Sequence, residues 1–294
     1  MTRARLACVS SKDRVRQAVR GWRESDLTVG VVMTMGALHQ GHLSLVEEAA
    51  RVCDRVIVTI YVNPLQFGPD EDYEGYPRDL AADLDKLERV ACDLVFAPSD
   101  EEIFPDGPGA FQTRVEVGGM SDVLCGADRP GHFDGMATEV TKQLLIVDAD
   151  LAFFGEKDFQ QLRVIERLVA DLNIPVRIVG LPVSREADGL AYSSRNAYLD
   201  ERQRRQAPAL YRCLVETAAM LARGGADVEA TLDAGCRSLI RGGFVEVDYL
   251  KLVDARSLVE LDAPPREEAR LVAAARIGSA RLIDNVAVFP GAGS

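Results

Sequence analysis

Residues 29–62 constrain the fold of this chain more than any other stretch, because a strand pattern, a helix pattern and a second strand pattern follow one another there. An apolar run over 29–32 predicts a buried strand, and apolar residues at helical spacing over 43–53 predict an amphipathic helix. The β-branched run RVIVTIYV over 55–62 is typical of a strand buried on both faces. This order predicts a right-handed parallel βαβ unit and therefore an α/β fold.

Residues 33–42, which read MTMGALHQGH, form the turn between the first strand and the helix. In open parallel sheets, ligands bind beyond the carboxyl ends of the strands, which is where this turn lies. A helix N-terminus adds free backbone N–H groups and the positive end of the helix dipole. The turn is therefore predicted to bind an anion.

His39 and His42 are two of the three histidines in the chain, and their spacing places them on one face of the predicted helix. Two imidazole donors beside a helix N-terminus suit a phosphate group that gains charge in a transition state. Two other interpretations stay open at this point. One histidine could cap the helix while the other packs, or both could bind a metal ion with His132, although the motif lacks the glutamate of H-E-x-x-H.

The rest of the chain predicts further elements and a boundary between two domains. Up to residue 181, helices are predicted at 10–24, 78–91, 136–147 and from 158, and strands at 93–97, 113–117, 151–154 and 175–181. The segment 63–77 is expected to be a lid or a binding loop. After the loop-forming residues 182–197 come predicted helices at 200–223 and 227–241, separated by Gly224 and Gly225, and strands at 244–253, 270–276 and 281–288.

The composition excludes several classes of function. A formal net charge of −12 argues against a nucleic-acid surface built on bulk positive charge. No apolar run is long enough for a membrane span, and the N-terminus has no apolar core of a signal peptide. The six cysteines are scattered and form no C-x-x-C pair, which fits reduced, mostly buried thiols and a cytoplasmic protein.

Hydrogen-bond donors collect on loops at predicted strand ends, in the stretches 33–42, 63–67, 155–161 and 192–196. Each stretch alone is weak evidence, since a lysine at a turn is usually solvated and Ser and Asn are ordinary loop residues. Together they supply imidazole, ammonium, guanidinium, hydroxyl and backbone N–H donors. Inside an acidic protein, such a pocket selects a small polyanion, most simply a nucleoside triphosphate.

On these motifs the chain resembles the pantothenate synthetase (pantoate–β-alanine ligase) family of the H-x-G-H nucleotidylyltransferase superfamily. The matching segments are TMGALHQGH (34–42), VNPLQF (62–67), YPR (76–78), RPGHF (129–133), FGEKDFQQL (154–162), DGLA (188–191), SSRN (193–196) and RLIDN (281–285). They span nearly the whole chain, and the joint set is far more specific than H-x-G-H alone.

The resemblance implies a Rossmann-like, doubly wound parallel sheet of the nucleotidylyltransferase type in residues 1–185, which would bind ATP and pantoate. A smaller α+β domain of helices and a three-stranded antiparallel sheet, residues 186–294, is expected to act as a lid on the active site. The family also implies a cytoplasmic homodimer whose partners are small-molecule substrates, with no nucleic acid and no membrane.

The reaction implied by the resemblance has two steps. The pantoate carboxylate attacks the α-phosphorus of ATP, which gives enzyme-bound pantoyl adenylate and pyrophosphate. The amine of β-alanine then attacks the mixed anhydride and releases pantothenate and AMP. Mg²⁺ would bridge the phosphates and keep waters, with Asp83 as a water-mediated partner.

The resemblance also assigns site residues, with His42 as the proton donor. The expected catalytic residues are His42, His39, Lys157, Ser193, Ser194 and Arg195. The residues expected to bind ATP are Met35, Gly36, Ala37, Leu38, His39, Gln40, Gly41, His42, Gly155, Glu156, Lys157, Asp158, Ser184, Tyr192, Ser193, Ser194 and Arg195. Gln66 and Gln161 would hold pantoate through neutral amides, which do not quench its nucleophilic carboxylate as an ion pair would. Met35 and Met136 would pack on its gem-dimethyl group.

Three positions depart from the family pattern: Met33 where Pro is common, Met136 where Val is usual, and Tyr192 where Met or Leu precedes Ser-Ser-Arg. None removes a charged catalytic group, and Tyr192 is expected to affect nucleotide affinity most.

Two rival functions remain at the level of sequence. A nucleotidylyltransferase whose product keeps AMP would not need Gln66 and Gln161 together. A non-catalytic nucleotide-binding module would not need the intact set of His39, His42, Lys157 and Arg195.

Overall fold

The computed structural model of the chain describes residues 6–69, 71, 73–223 and 226–290. These residues belong to two compact units. The first lies within Met1–Asp122, Arg129–Glu156 and Val164–Pro182, and the second within Val123–Asp128, Lys157–Arg163 and Val183–Ser294. The division at 185/186 and the lid role of the C-terminal part stay predictions.

The first unit contains a six-stranded sheet in which all pairs of neighbouring strands are parallel. Its strands are β1 (Ala7–Val9), β2 (Val29–Thr34), β3 (Arg55–Ile60), β4 (Leu94–Phe96), β5 (Leu151–Gly155) and β6 (Arg177–Leu181), in the order β1-β4-β3-β2-β5-β6. The chain runs from β2 toward one edge through β3 and β4, and β5 and β6 lie on the other side of β2. The strand order thus reverses beside β2, at the kind of position where open α/β sheets bind ligands. The predicted parallel sheet is confirmed.

Most of the predicted helices are formed, close to their expected positions. They are α1 (Lys12–Arg23), α2 (Gln40–Val52), α3 (Leu80–Leu87), α4 (Asp100–Ile103), α5 (Cys125–Asp128), α6 (His132–Val147), α7 (Phe159–Asp171), α8 (Glu201–Gln206), α9 (Ala209–Ala222) and α10 (Val228–Arg241). The helix expected at 136–147 begins earlier, at His132. The helix expected at 200–223 is broken into α8 and α9 at Pro208, because proline lacks the N–H that would continue the ladder. No helix among the described residues has the length and apolar character needed to cross a membrane.

The second unit contains an antiparallel sheet of β7 (Glu246–Asp254), β8 (Ala269–Ile277) and β9 (Ala280–Val288), with β8 in the middle. Nearly every residue of β8 is buried, and apolar residues of α9 and α10 pack in the same core. The predicted three-stranded sheet is confirmed. Gly224 and Gly225, expected between the two helices, lie outside the described residues.

The strand predicted at 113–117 is not formed. The alternating sequence there pairs with no other strand of the described chain, and the Val115 backbone N–H instead donates to Thr138 Oγ1 at 2.8 Å. Periodicity predicts a strand only where a partner is available to complete the ladder. Conversely, β1 is a strand of three residues that the sequence pattern did not predict.

Glu139 on α6 is a buried carboxyl in the first unit, and burial raises its pKa from an ordinary value of 4.5 to about 7, against an opposing hydrogen bond from Gln143. The folded chain thus holds this proton more tightly than the unfolded chain. Its contribution to stability is complete below pH 4.5 and is lost as the pH rises through 7.

We therefore expect Glu139→Gln to remove a pH dependence of stability. Between about pH 4.5 and 8, the free energy of unfolding of the wild type should fall by about 3 kcal/mol more than that of the variant. Urea titrations at both pH values measure this difference, with Glu88→Gln, at the exposed residue that follows α3, as control. Equal pH dependence in wild type and Glu139→Gln would contradict the prediction.

Candidate active site

The turn after β2 adopts backbone conformations that few sequences accept. Gly36 and Ala37 both have positive φ, 79° and 50°, and for alanine this left-handed conformation costs free energy. Thr34 stabilises the entrance to the turn, because its Oγ1 accepts from the Gly36 N–H at 3.1 Å and donates to the Thr59 carbonyl at 2.9 Å. The turn therefore needs further support from outside its own sequence.

Asp83 on α3 supplies that support. Its Oδ2 accepts from the Ala37 N–H and its Oδ1 from the Leu38 N–H, both at 2.8 Å. The carboxylate is only 2% exposed, and Lys86 Nζ lies 3.5 Å from Oδ1 while donating to the Leu38 carbonyl at 2.7 Å. A Cβ on Gly36 would lie 3.0 Å from Oδ2, so the carboxylate also fits closely beneath the glycine.

This geometry bears on the expected Mg²⁺ role of Asp83. Both oxygens already accept from backbone N–H groups, so the carboxylate does not fit a direct metal ligand. Within the ranges that the structure describes, no group of three or more His, Cys, Asp or Glu side chains could hold a metal ion. A water-mediated contact of Asp83 with Mg²⁺ stays a prediction.

His39 and His42 occupy the first turn of α2. His39 is the residue before the helix, and His42 is its third residue. Their rings stack with centroids 3.9 Å apart and planes 20° apart. The His39 backbone N–H donates to His42 Nδ1 at 3.4 Å, and this assignment places the hydrogen of a neutral His42 ring on Nε2. His42 is thus suited to donate from Nε2 to a bound anion.

The alternative metal site of His39, His42 and His132 is wrong. His132 Nε2 lies 3.0 Å from Arg129 Nη1, and because arginine can only donate, the Nε2 lone pair is occupied. The described residues contain no such metal group.

Gln66 ends a 3₁₀ turn, Pro64–Gln66, that follows β3 and is capped by Asn63. Asn63 Oδ1 accepts from the Leu65 N–H at 3.1 Å, so its Nδ2 is the donor to Gln66 Oε1 at 3.1 Å. This arrangement directs Gln66 Nε2 to Met35 Sδ, 3.0 Å away. The structure thus brings two of the expected pantoate residues, Gln66 and Met35, into contact.

Gly135 on α6 allows this turn to sit directly on the helix. A Cβ at residue 135 would lie 2.0 Å from the Leu65 carbonyl oxygen, a distance that backbone cannot accept. The Gly135 carbonyl also accepts from Asn63 Nδ2 at 3.1 Å. Met136, the next residue, is 1% exposed and buried in the core, so its expected packing on a ligand stays a prediction.

A chain of polar contacts fixes the backbone of Gln66. His132 Nδ1 lies 2.7 Å from the Gln66 carbonyl, and because Arg129 occupies Nε2, Nδ1 is the donor. Arg129 in turn donates to both carboxylate oxygens of Glu71. Burial alone would raise the pKa of Glu71, but the Arg129 guanidinium outweighs it and lowers this pKa below its ordinary value.

In the second unit, Lys157 lies in the 3₁₀ turn Glu156–Asp158 that follows β5. Its side chain is 19% exposed, with Nζ 3.6 Å from Asp158 Oδ1. Gln161, on the first turn of α7, is half-buried. Gly155 and Glu156, assigned to the first unit, precede Lys157 directly.

The remaining expected residues of the second unit lie along one segment, 184–195. Arg185 and Ala191 form an antiparallel bridge, and the Tyr192 N–H donates to the Ser184 carbonyl at 3.1 Å. Ser193 Oγ accepts from the Arg195 N–H at 3.3 Å and caps the 3₁₀ turn Ser194–Tyr198. The structure thus brings Ser184 beside Tyr192 at the base of the segment that ends in Ser193, Ser194 and Arg195.

Comparisons with known proteins agree on one family. A sequence model of the family described as pantoate-beta-alanine ligase matches residues 7–287. Over 280 residues, the chain is 51% identical to pantothenate synthetase from Halorhodospira halophila, covering 95% of this chain and 97% of that protein. It is 50% identical to pantothenate synthetase from Pseudomonas aeruginosa, covering 95% and 98% of the two chains.

Solved structures give the same result. Pantothenate synthetase from Thermus thermophilus has a TM-score of 0.88 and 45% identity to this chain, covering 97% of this chain and 100% of that one. Pantoate-beta-alanine ligase from Francisella tularensis, solved with beta-gamma ATP and beta-alanine, has a TM-score of 0.79 at 33% identity, covering 96% and 97%.

Proposed function

The chain belongs to the pantoate-beta-alanine ligase family, and from that membership we propose that it condenses pantoate with β-alanine to pantothenate through pantoyl adenylate, at the expense of ATP. The pantoate carboxylate oxygen attacks the α-phosphorus, and pyrophosphate leaves with the bonding electron pair. The β-alanine amine then attacks the acyl carbon, loses a proton, and AMP leaves. The observation that carries the proposal is the stacked imidazole pair in the first turn of α2.

His42 and His39 stabilise the phosphate as it becomes five-coordinate. In the tautomer fixed by the His39 N–H, His42 donates from Nε2 to a phosphate oxygen or to the departing pyrophosphate. The first turn of α2 adds the positive end of the helix dipole, whereas the N–H groups of residues 36–39 already donate to Thr34, Asp83 and His42. Gly41 leaves room for the nucleoside beside the helix, since it has no side chain.

Residues of the second unit supply the positive charge. We assign Lys157 and Arg195 to phosphate oxygens, with hydroxyl donation from Ser193 and Ser194. The other assigned ATP contacts are Gly155, Glu156, Asp158, Ser184 and Tyr192. Mg²⁺ would neutralise the phosphates while keeping most of its waters, with Asp83 reached through water only. From the family we also propose that the protein is a homodimer in the cytoplasm.

Gln66 and Gln161 orient pantoate. The Gln66 amide is held by Asn63 and Met35, so it meets the substrate already in place. A neutral amide binds hydroxyl and carboxylate groups without the ion pair that would lower the nucleophilicity of the carboxylate. Met35 and Met136 would supply the apolar contact for the gem-dimethyl group.

An assay of AMP formation tests the whole proposal. The chain is incubated with ATP, Mg²⁺, pantoate and β-alanine, and each component is omitted in turn. We expect AMP only when all are present, and pyrophosphate release in single turnover with pantoate but without β-alanine. AMP formation that does not depend on β-alanine would contradict the ligase function, and a product that retains AMP would indicate a nucleotidylyltransferase.

Gln66→Ala is expected to impair the use of pantoate while ATP binding survives. Loss of one buried amide partner should raise the KM for pantoate by about 10–100-fold, and Gln161→Ala should act in the same direction. Gly135→Ala should reproduce the effect indirectly, because its Cβ must displace the Leu65 carbonyl.

Steady-state kinetics and calorimetric ATP titrations separate the two substrates in these variants. Gly118→Ala is the matched control, since a Cβ there meets nothing within 4 Å. Equal losses of ATP and pantoate affinity in Gln66→Ala would count against the assignment.

A further inference from the structure

Two adjacent polar residues of β9, Asp284 and Asn285, are buried where an apolar core would be expected. Their exposed fractions are 4% and 2%. Buried polar groups are costly unless they are fully hydrogen-bonded. Their partners therefore show what the two residues do in the fold.

Asn285 holds the backbone of Lys157. Its Oδ1 accepts from Arg270 Nε at 2.6 Å, and its Nδ2 donates to the Lys157 carbonyl at 3.0 Å. Because arginine can only donate, the amide cannot be reversed without losing both bonds. The Arg270 guanidinium also lies 4.4 Å from the centre of the Phe159 ring, at the start of α7. The Lys157 turn is thus fixed at two points by the sheet.

Asp284 fixes segment 184–195, which leads to Ser193, Ser194 and Arg195. Its carboxylate accepts from Arg185 at 2.6 and 2.9 Å, and Arg185 Nη1 also donates to the Gly189 carbonyl at 3.1 Å. The Arg185 guanidinium lies 3.7 Å from the Tyr211 ring centre. These contacts fix the base of segment 184–195. Adjacent residues of a strand point to opposite faces, so neighbouring positions can serve two separate segments.

We infer that Asp284 and Asn285 are positioning residues that fix the Lys157 turn and the base of segment 184–195 to one strand. The inference rests on the proposed function, which assigns both segments to the ATP phosphates. Donors that act on a transition state must be held in place before the reaction, and small displacements of such donors lower the rate. The two side chains touch no substrate in this role and act only through the segments that they hold.

Asn285→Asp is the sharpest test, because one carboxylate oxygen still accepts from Arg270 while the donor to Lys157 is lost. Asp284→Asn tests the other segment. We expect each variant to raise the KM for ATP at least tenfold and to lower kcat, while the KM for pantoate changes less than twofold. Asp248→Asn is the control, since it removes a buried carboxylate that bonds Arg281 on the same sheet and contacts neither segment.

The outcomes separate the inference from the proposed function. A wild type that forms AMP, with Asn285→Asp folded by circular dichroism and its KM for ATP within twofold of wild type, overturns the inference alone. An Asp248→Asn variant that raises the KM for ATP as much as Asp284→Asn also overturns it, because the effect would then be general destabilisation. A wild type that forms no AMP overturns the proposed function, and the inference falls with it.

Discussion

Replacing His42 with alanine should slow the pantoate-dependent release of pyrophosphate by about 10²–10³-fold. The residue is the third of α2, and its ring stacks on His39 with Nε2 as the proton-bearing nitrogen. Alanine removes the donor at the point where negative charge develops, together with the acceptor of the His39 N–H and the ring that stacks on His39. Rapid-quench measurement with pantoate and labelled ATP isolates this step from the later attack of β-alanine.

Two further variants sharpen the result for His42. His42→Gln can present an amide N–H but cannot transfer a proton, so it should bind ATP with near wild-type affinity and recover only part of the rate. Glu47→Ala, on the exposed face of the same helix, is the matched control and should keep the wild-type rate. A His42→Ala enzyme with more than a tenth of the wild-type rate would contradict the assignment of His42 as proton donor.

Replacing Asp83 with alanine should lower the free energy of unfolding by about 3 kcal/mol and abolish ATP-dependent activity. The substitution leaves the Ala37 and Leu38 N–H groups without acceptors and removes the partner of Lys86. Each buried donor left unpaired costs about 1–3 kcal/mol. Urea unfolding measures the stability, and Asp85→Ala on the exposed side of the same helix is the control.

A double variant tests why Asp83 is needed. Since Asp83 holds Ala37 at positive φ, Ala37→Gly should stabilise the wild type by removing part of the strain. It should stabilise Asp83→Ala less, because the released turn no longer carries that strain. The two changes should therefore be non-additive by about 1 kcal/mol. Strict additivity, with full activity in Asp83→Ala, would show that the turn does not depend on the carboxylate.

Local patterns predicted the elements that carry the histidines. The apolar run before the turn predicts β2, the helical spacing after it predicts α2, and the β-branched run predicts β3. The structure has all three elements at the expected positions. The three strands at the end of the chain were predicted as well, because turn residues separate them. Such signals are local, so a single sequence is enough to read them.

Contacts between distant residues were not predictable in this way. Asp83 was expected beside Mg²⁺, and nothing in its own helix indicates that it accepts from a turn 45 residues earlier. Asn63 did carry a local signal, since an asparagine before proline is typical of a helix cap. Gly135 carried none, because its role depends on the Leu65 carbonyl lying against α6.

Two of the motifs that match the family had no role assigned to them from the sequence. The segments around Arg129 and around Asn285 matched the family without any stated purpose. The structure gives each a purpose in supporting another residue, namely the Gln66 carbonyl and the Lys157 carbonyl. Support of this kind follows from tertiary packing, which no pattern of spacing contains.

The contact between Asp83 and the turn has a consequence for the order in which the protein is made. Synthesis proceeds from the N-terminus, so both histidines and the strands on either side of them leave the ribosome before residue 83. The nascent βαβ unit can pair β2 with β3 while the turn still lacks its carboxylate. Closing this long loop costs chain entropy, and only the packing of α3 against the turn offsets that cost. The N-terminal end of α2, where we propose that the anion binds, is therefore expected to mature late, after its own strand and helix are already in place.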